Sequence, residues 1–246
     1  MSSLLLIHGF TGSALAWGDN IPALEQQFDV IAVDLPGHGT NPVAASVEAT
    51  AEDLAHRYGS QHMHVLGYSL GARVALRLVA VHPAAVSRLI LESPSAGSTD
   101  FNARTERRIA DDDLADDIER DGVQAFVDRW ERMPIFASHA QLPEAVLAEQ
   151  RAIRLANTPH GLAQSLRLAG QGVMTPLQDR LAKIAAPTLV IVGAIDPARA
   201  SAEQVAAGIP GARLAIVDGA GHTPHLERPE AFRRLVIDFL QEDAAA

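Results

Sequence analysis

The sequence predicts an α/β chain built on a mostly parallel, doubly wound sheet with an all-helical cap insertion. Short β-rich runs alternate with stretches of helical period, the pattern of successive βαβ units. The runs are almost continuously apolar, as in Thr188-Leu189-Val190-Ile191-Val192, which suits strands covered by helices on both faces. Between residues 98 and 170 the alternation stops, and charged and apolar residues recur only at helical spacing.

In chain order the expected strands are Leu4 to Ile7, Asp29 to Val33, Met63 to Leu66, Leu89 to Leu91, Thr188 to Val192 and Leu214 to Val217. The insertion divides into helices over Asn102 to Asp121, Val123 to Arg132, Pro143 to Ala156 and Pro159 to Leu168. Gly122, Met133-Pro134 and Thr158-Pro159 separate them. A core of residues 1–97 and 171–246 is therefore expected, with 98–170 as a cap over the carboxyl edge of the sheet, where such folds bind ligands.

The composition narrows the chemistry. The 246 residues are 48% hydrophobic, enough for one large core. A net charge of −10 excludes a general basic surface for nucleic acid or anionic membranes. No cysteine is present, so disulfides, thiolate metal sites and cysteine nucleophiles are excluded. The first apolar run follows Met1-Ser2-Ser3 directly, without a basic leader, and no run approaches the roughly 20 apolar residues of a spanning helix. A cytoplasmic protein without membrane insertion is expected. The histidines show no metal-ligand spacing with carboxylates, so no metal is expected. The acidic run Asp111-Asp112-Asp113 with Asp116-Asp117 reads as a solvated helix face. Lys183 is the one lysine and every other basic residue is arginine, so each arginine must be argued by position.

The segment Gly67-Tyr68-Ser69-Leu70-Gly71 joins a strand to an amphipathic helix. Its two glycines permit a tight turn that lifts the Ser69 hydroxyl above the sheet, at a helix N-terminus that favours developing negative charge. A serine there also serves as a helix N-cap. Two further elements favour the nucleophile. Asp196 follows the strand ending at Val192, and His222 follows the strand ending at Val217, in the order Ser, Asp, His. His222 would bond Ser69, and Asp196 would hold the imidazole. His225 is the rival base, and Asp218 and Glu92 are rival acids. For an oxyanion hole the backbone N–H groups of Leu70 and Phe10 are the candidates. His8 and His38 read as structural.

The residues His8-Gly9-Phe10, Asp34-Leu35-Pro36-Gly37-His38-Gly39, Gly67 to Gly71 and Gly221-His222 carry a resemblance to the α/β-hydrolase superfamily. Further matches are Arg73 after the elbow, Ala103 to Arg108 with Asp111, Phe126 to Trp130 and Pro134 to Ala137. Gln150 to Arg154, Gly161 to Ala163 and Ser165 to Arg167 complete the set. Together they resemble the MenH family, the 2-succinyl-6-hydroxy-2,4-cyclohexadiene-1-carboxylate synthases of menaquinone biosynthesis. The resemblance implies elimination of pyruvate from a small polycarboxylate substrate, with no cofactor. It nominates Arg73, Arg107 and Arg154 as carboxylate-binding forks and Tyr68 and Trp130 as pocket walls. Planar guanidinium forks suit carboxylates because they pair bidentately.

Helix phase leaves Arg104 and Arg108 as alternatives to Arg107. In this chemistry the Ser69–His222 pair would remove a ring proton rather than accept an acyl group. The chain differs from the family in starting without the strand or two that usually precede His-Gly-Phe, in Ala72 after the elbow, and after Asp196, where the family often has a lysine two positions on and this chain has Pro197-Ala198-Arg199, with Arg199 as the charge that could stand in. A carboxylesterase or carbon–carbon bond hydrolase with the same triad is the alternative enzyme, and a ligand receptor on the same fold is the alternative of another class.

Overall fold

The computed structural model describes residues 1–242, and the six apolar runs form one sheet within them. The chain runs β1 (Ser3–Ile7), α1 (Asn20–Leu24), β2 (Asp29–Val33), α2 (Val47–Tyr58), β3 (Met63–Tyr68), α3 (Leu70–Val81) and β4 (Val86–Glu92). There follow α4 (Phe101–Trp130), α5 (Glu144–Leu155), α6 (Pro159–Ala169), α7 (Gln178–Leu181), β5 (Thr188–Gly193), α8 (Arg199–Gly208), β6 (Arg213–Val217), α9 (Pro224–Glu227) and α10 (Pro229–Gln241). The strand order is β2-β1-β3-β4-β5-β6, and each neighbouring pair is parallel. The expectation of a mostly parallel sheet is thus sharpened to a wholly parallel one among the described residues, because every strand returns through a crossover.

Parallel strands bring all the strand ends to one edge. From β1 the chain goes to β2 on one side and later to β3 on the other, so the crevice between the ends of β1 and β3 is a topological switch point.

Side-chain alternation along β1 feeds both faces of the sheet. Leu5 and Ile7 join the core beneath α2, α3 and α8, while Leu4 and Leu6 join Trp17, Leu24 and the α10 residues Phe232, Val236 and Phe239. Leu4 to Ile7 are fully buried, each contributing roughly 1.5–3 kcal/mol. Exposure of either face would remove that contribution, so helices must cover both.

The helices between β4 and β5 form their own cluster. Ala115, Ile118, Phe126 and Val127 of α4 meet Leu162, Ala163 and Leu166 of α6, with Phe10 and Trp130 packed against them. Phe10 lies on the loop after β1, so the cluster sits over the crevice. The Asp100 side chain caps α4 by accepting from Ala103 N at 2.7 Å. Within α4 the two helices expected here are separated at Gly122, whose φ of 81° and ψ of 167° only glycine adopts readily. After Met133-Pro134, expected as a breaker, Pro134–Gln141 winds into 3₁₀ turns. No helix is long and apolar enough to cross a membrane among the described residues.

Candidate active site

Ser69 stands between β3 and α3 with φ 51° and ψ −105°, a strained conformation for a residue with a side chain. The flanking glycines hold it there. A Cβ on Gly71 would come within 2.0 Å of Ile7 O, and one on Gly67 within 2.3 Å of Gly71 O. The elbow is therefore pressed against β1 at Gly71 and against the first turn of α3 at Gly67, with no space for a side chain at either position. The Ser69 hydroxyl makes no capping bond to α3, which removes the N-cap reading. It lies instead 3.2 Å from His222 Nε2.

On the other side of the imidazole, Nδ1 is 3.0 and 3.1 Å from the two carboxylate oxygens of Asp196. Asp196 also accepts from the Ser93 hydroxyl at 2.7 Å and from Ala198 N at 2.8 Å. Burial works to raise the Asp196 pKa, but the His222 ring, Ala198 N–H and Ser93 hydroxyl together bring it below its ordinary value. The carboxylate is ionised and aimed at the ring.

The rivals are engaged elsewhere. Glu92 is fully buried and accepts both the backbone N–H and the ring Nδ1–H of His225 at 2.9 Å, and Asp218 is exposed. His225 also packs on Trp17 and Tyr68. Glu92 and His225 therefore satisfy each other under the site.

Sequence reasoning missed two residues. Ser93, in the left-handed region at φ 48°, bonds Asp196 and the His222 carbonyl. Glu227 accepts from Gly221 N at 2.8 Å and from Thr223 N at 3.0 Å, gripping the chain on both sides of His222. Each was legible only as a polar residue at the end of a strand or in a turn.

Above Ser69 opens a cavity of about 670 Å³ between core and helices. Ser69, His222, Phe10, Leu70, Tyr68 and Trp130 border it. The Phe10 and Leu70 backbone N–H groups have no protein acceptor among the described residues. Trp130 Nε1 is buried and likewise unpartnered. Burial, followed by the negative charge of Glu92, pushes the Tyr68 phenol well above its ordinary pKa, so it stays neutral.

The arginines divide. Arg73 borders the cavity, is buried, and donates to Ala169 O at 2.8 Å. Burial and then the positive charge of Arg107 lower its pKa to about 10, so it keeps its charge at neutral pH. Of Arg104, Arg107 and Arg108, it is Arg107 that borders the cavity. Arg154 is placed differently from the expectation. It sits behind Phe136, its guanidinium 5.6 Å from that ring and 3.0 Å from Glu131 Oε1, and borders two smaller recesses. The ion pair with Glu131 accounts for its direction. Arg199 pairs with Glu203 at 2.8 Å and does not border the cavity.

Asp111 corrects the reading of a solvated acidic face. It is 3% exposed and borders the cavity beside Arg107. Among the described residues no group of three or more His, Cys, Asp or Glu side chains is arranged to hold a metal ion.

The family described as alpha/beta hydrolase fold matches residues 3–229. A Bacillus subtilis (strain 168) protein, named provisionally as a 2-succinyl-6-hydroxy-2,4-cyclohexadiene-1-carboxylate synthase, is 36% identical over 97% of this chain and 90% of its own length. The synthase of the same name from Salmonella paratyphi B (strain ATCC BAA-1250 / SPB7) is 30% identical over 98% of this chain and 92% of its own. The structure of MenH from S. aureus superposes with a TM-score of 0.94 at 32% identity, covering 98% of this chain and 94% of that one.

Proposed function

The chain belongs to the α/β-hydrolase family, and we propose that within it this protein is a carbon–oxygen lyase. The reaction eliminates pyruvate from 2-succinyl-5-enolpyruvyl-6-hydroxy-3-cyclohexene-1-carboxylate and leaves 2-succinyl-6-hydroxy-2,4-cyclohexadiene-1-carboxylate. The observation that carries this reading is the pair Arg73 and Arg107 in a cavity that also holds the Ser69–His222–Asp196 array. A substrate with three carboxylates needs fixed positive forks, and a neutral ester does not. Likeness to the named synthases over nearly the full chain supports the same conclusion.

The ring proton α to the succinyl ketone is acidic because its removal gives an enolate. Ser69 Oγ, 3.2 Å from His222 Nε2, takes that proton as its own passes to the ring. Asp196 steadies the imidazolium so formed. The enolate oxygen is received by the Phe10 and Leu70 N–H groups. Electrons then move through the ring alkene, the carbon–oxygen bond to the enolpyruvyl group breaks, and the departing pyruvate enolate takes at carbon one proton, the net equivalent held by the Ser69–His222 pair, which returns that pair to its starting state. No acyl-enzyme forms. Residues 98–170 act as the cap that supplies Arg107 and Trp130, with the core 1–97 and 171–246 supplying the triad, in a cytoplasmic enzyme acting on a small molecule.

Pyruvate release from the enolpyruvyl substrate, followed by coupled reduction with NADH, tests the proposal. Ser69→Ala is expected to lower kcat by about 10²–10⁴, and Arg73→Ala to lower kcat/KM by about 10–100-fold through loss of a charged hydrogen bond. Rapid hydrolysis of short nitrophenyl esters without pyruvate release would identify a serine hydrolase instead.

A further inference from the structure

Asp111 is the one buried acid of α4. Its Oδ1 accepts from Arg107 Nε at 2.9 Å, while Oδ2 is buried without a hydrogen-bond partner among the described residues. Oδ2 also lies so near Gly170 that a Cβ there would come within 2.5 Å of it. A buried carboxylate oxygen left unpaired is costly, and such groups in native proteins have a reason. Here the surroundings supply one. Asp111, Arg107 and Arg73 all border the cavity above Ser69.

The charged groups facing Asp111 are Arg107 and Asp112 from its own helix and Arg73 from α3. The α6 end brings Ser165, Leu166, Ala169 and Gly170 to the cavity, none of them titratable, while Arg167 turns outward to Asp116 and Glu119. Arg73 and Arg107 share the cavity wall and their like charges oppose each other: Arg107 lowers the Arg73 pKa and Asp111 opposes that lowering. The Asp111 carboxylate, bonded to Arg107 and acting through charge on Arg73, offsets that repulsion. A bound polycarboxylate relieves it too, and the charge on Asp111 then becomes repulsive toward the ligand.

We infer that Asp111 is a removable counter-ion, which offsets the charges of Arg73 and Arg107 and takes up one proton when a polycarboxylate engages both arginines. The proton comes from solvent, forms an O–H bond at Oδ2, and makes that atom a donor toward the incoming anion. It returns to solvent when the products leave, and no electrons are exchanged. Burial already lifts the Asp111 carboxyl above its ordinary value against the pull of Arg107 and Arg73, and occupying those arginines removes the pull. A ligand with one carboxylate engages one arginine and leaves Asp111 ionised on the other. Proton uptake therefore marks ligands that engage both, and Asp111 selects for them.

The inference rests on the lyase reading, and calorimetry with 2-succinylbenzoate, a dicarboxylate analogue of the proposed product, separates the two. Titrations in two buffers of different ionisation heat are expected to show close to one proton taken up per ligand bound by the wild-type protein. Asp111→Asn keeps the acceptor for Arg107 without the charge, so it is expected to take up no proton and to bind several-fold more tightly. Its advantage grows by up to about tenfold per pH unit between pH 7 and 9. Absence of binding, a wild-type proton count of zero, or weaker and pH-independent binding by the variant overturns the inference; the wild-type count needs no variant to fold. Pyruvate release without proton uptake overturns Asp111 alone, whereas uptake without pyruvate release overturns the assigned reaction alone.

Discussion

Replacing Glu227 by glutamine is expected to unsettle His222 without touching the cavity. Glu227 is 6% exposed, with Oε2 accepting from Gly221 N at 2.8 Å and Oε1 accepting from Thr223 N at 3.0 Å and the Thr223 hydroxyl at 2.9 Å. A glutamine must place its NH₂ at one of these positions. Whichever way it turns, an amide N–H then points at a backbone N–H. One buried donor is left unpaired, costing about 1–3 kcal/mol, and the remaining bonds lose their charge assistance, costing about 1 kcal/mol more. The expected loss is about 2–4 kcal/mol, or roughly 5–15 °C in Tm for a chain of this size.

Because Glu227 does not border the cavity, kcat for pyruvate release should fall while KM holds. Burial works to raise the Glu227 pKa, but the Gly221 and Thr223 donors bring it below its ordinary 4.5. Its stabilisation is therefore present above about pH 4.5 and lost as pH falls through the folded value, so wild type and variant should converge in acid. Denaturation in urea at pH 7 and pH 3.5, beside steady-state kinetics, measures both effects. A variant within 0.5 kcal/mol of wild type and unchanged in kcat would refute the clamp.

Two further outcomes concern the scaffold. His8 donates from Nδ1 to Gly9 O at 2.7 Å and accepts the Leu35 N–H on Nε2 at 2.9 Å, and burial lowers its pKa to about 4. His38 is lowered to about 3 by burial and then by His8. Both depressed values mean stability present above about pH 6.5 and lost as pH falls toward the folded values, by roughly 2–3 kcal/mol per ring at pH 4.5. Urea midpoints that stay flat from pH 7 to pH 4.5 would contradict this. At Gly122 a Cβ meets no atom within 4 Å, so Gly122→Ala isolates the backbone cost of φ 81°, expected at about 1–3 kcal/mol. A thermal melt unchanged by that substitution would mean that the helix break relaxes.

The fold and the triad were legible because each rests on short-range constraints. Apolar runs such as Leu4 to Ile7 state their own burial, and alternate residues feed opposite faces whatever the rest of the chain does. Gly67 and Gly71 mark the elbow because α3 at the first and β1 at the second leave no room for a Cβ. Asp196 and His222 follow strands, and parallel pairing carries both to the edge where Ser69 stands.

Charge was less legible. A run of aspartates at 111–113 looks solvated to any local pattern, yet Asp111 is buried, because it packs beside Gly170 and shares the cavity wall with Arg73. Arg104, Arg107 and Arg108 lie within about one turn of α4, so which of them meets the cavity was set by how that helix packs on α6 and not by counting turns. Arg154 turns to Glu131, 23 residues away, and Arg73 is tied to Ala169, 96 residues away.

Periodicity along the chain thus determined which segments are strands and helices and in what order the triad arrives, since those depend on neighbours within a few residues. Which side chains lose water, which arginine meets the cavity and which carboxylate oxygen is left without a partner were decided by tertiary packing. Desolvation depends on everything packed around a group, and most of those neighbours lie far away in sequence.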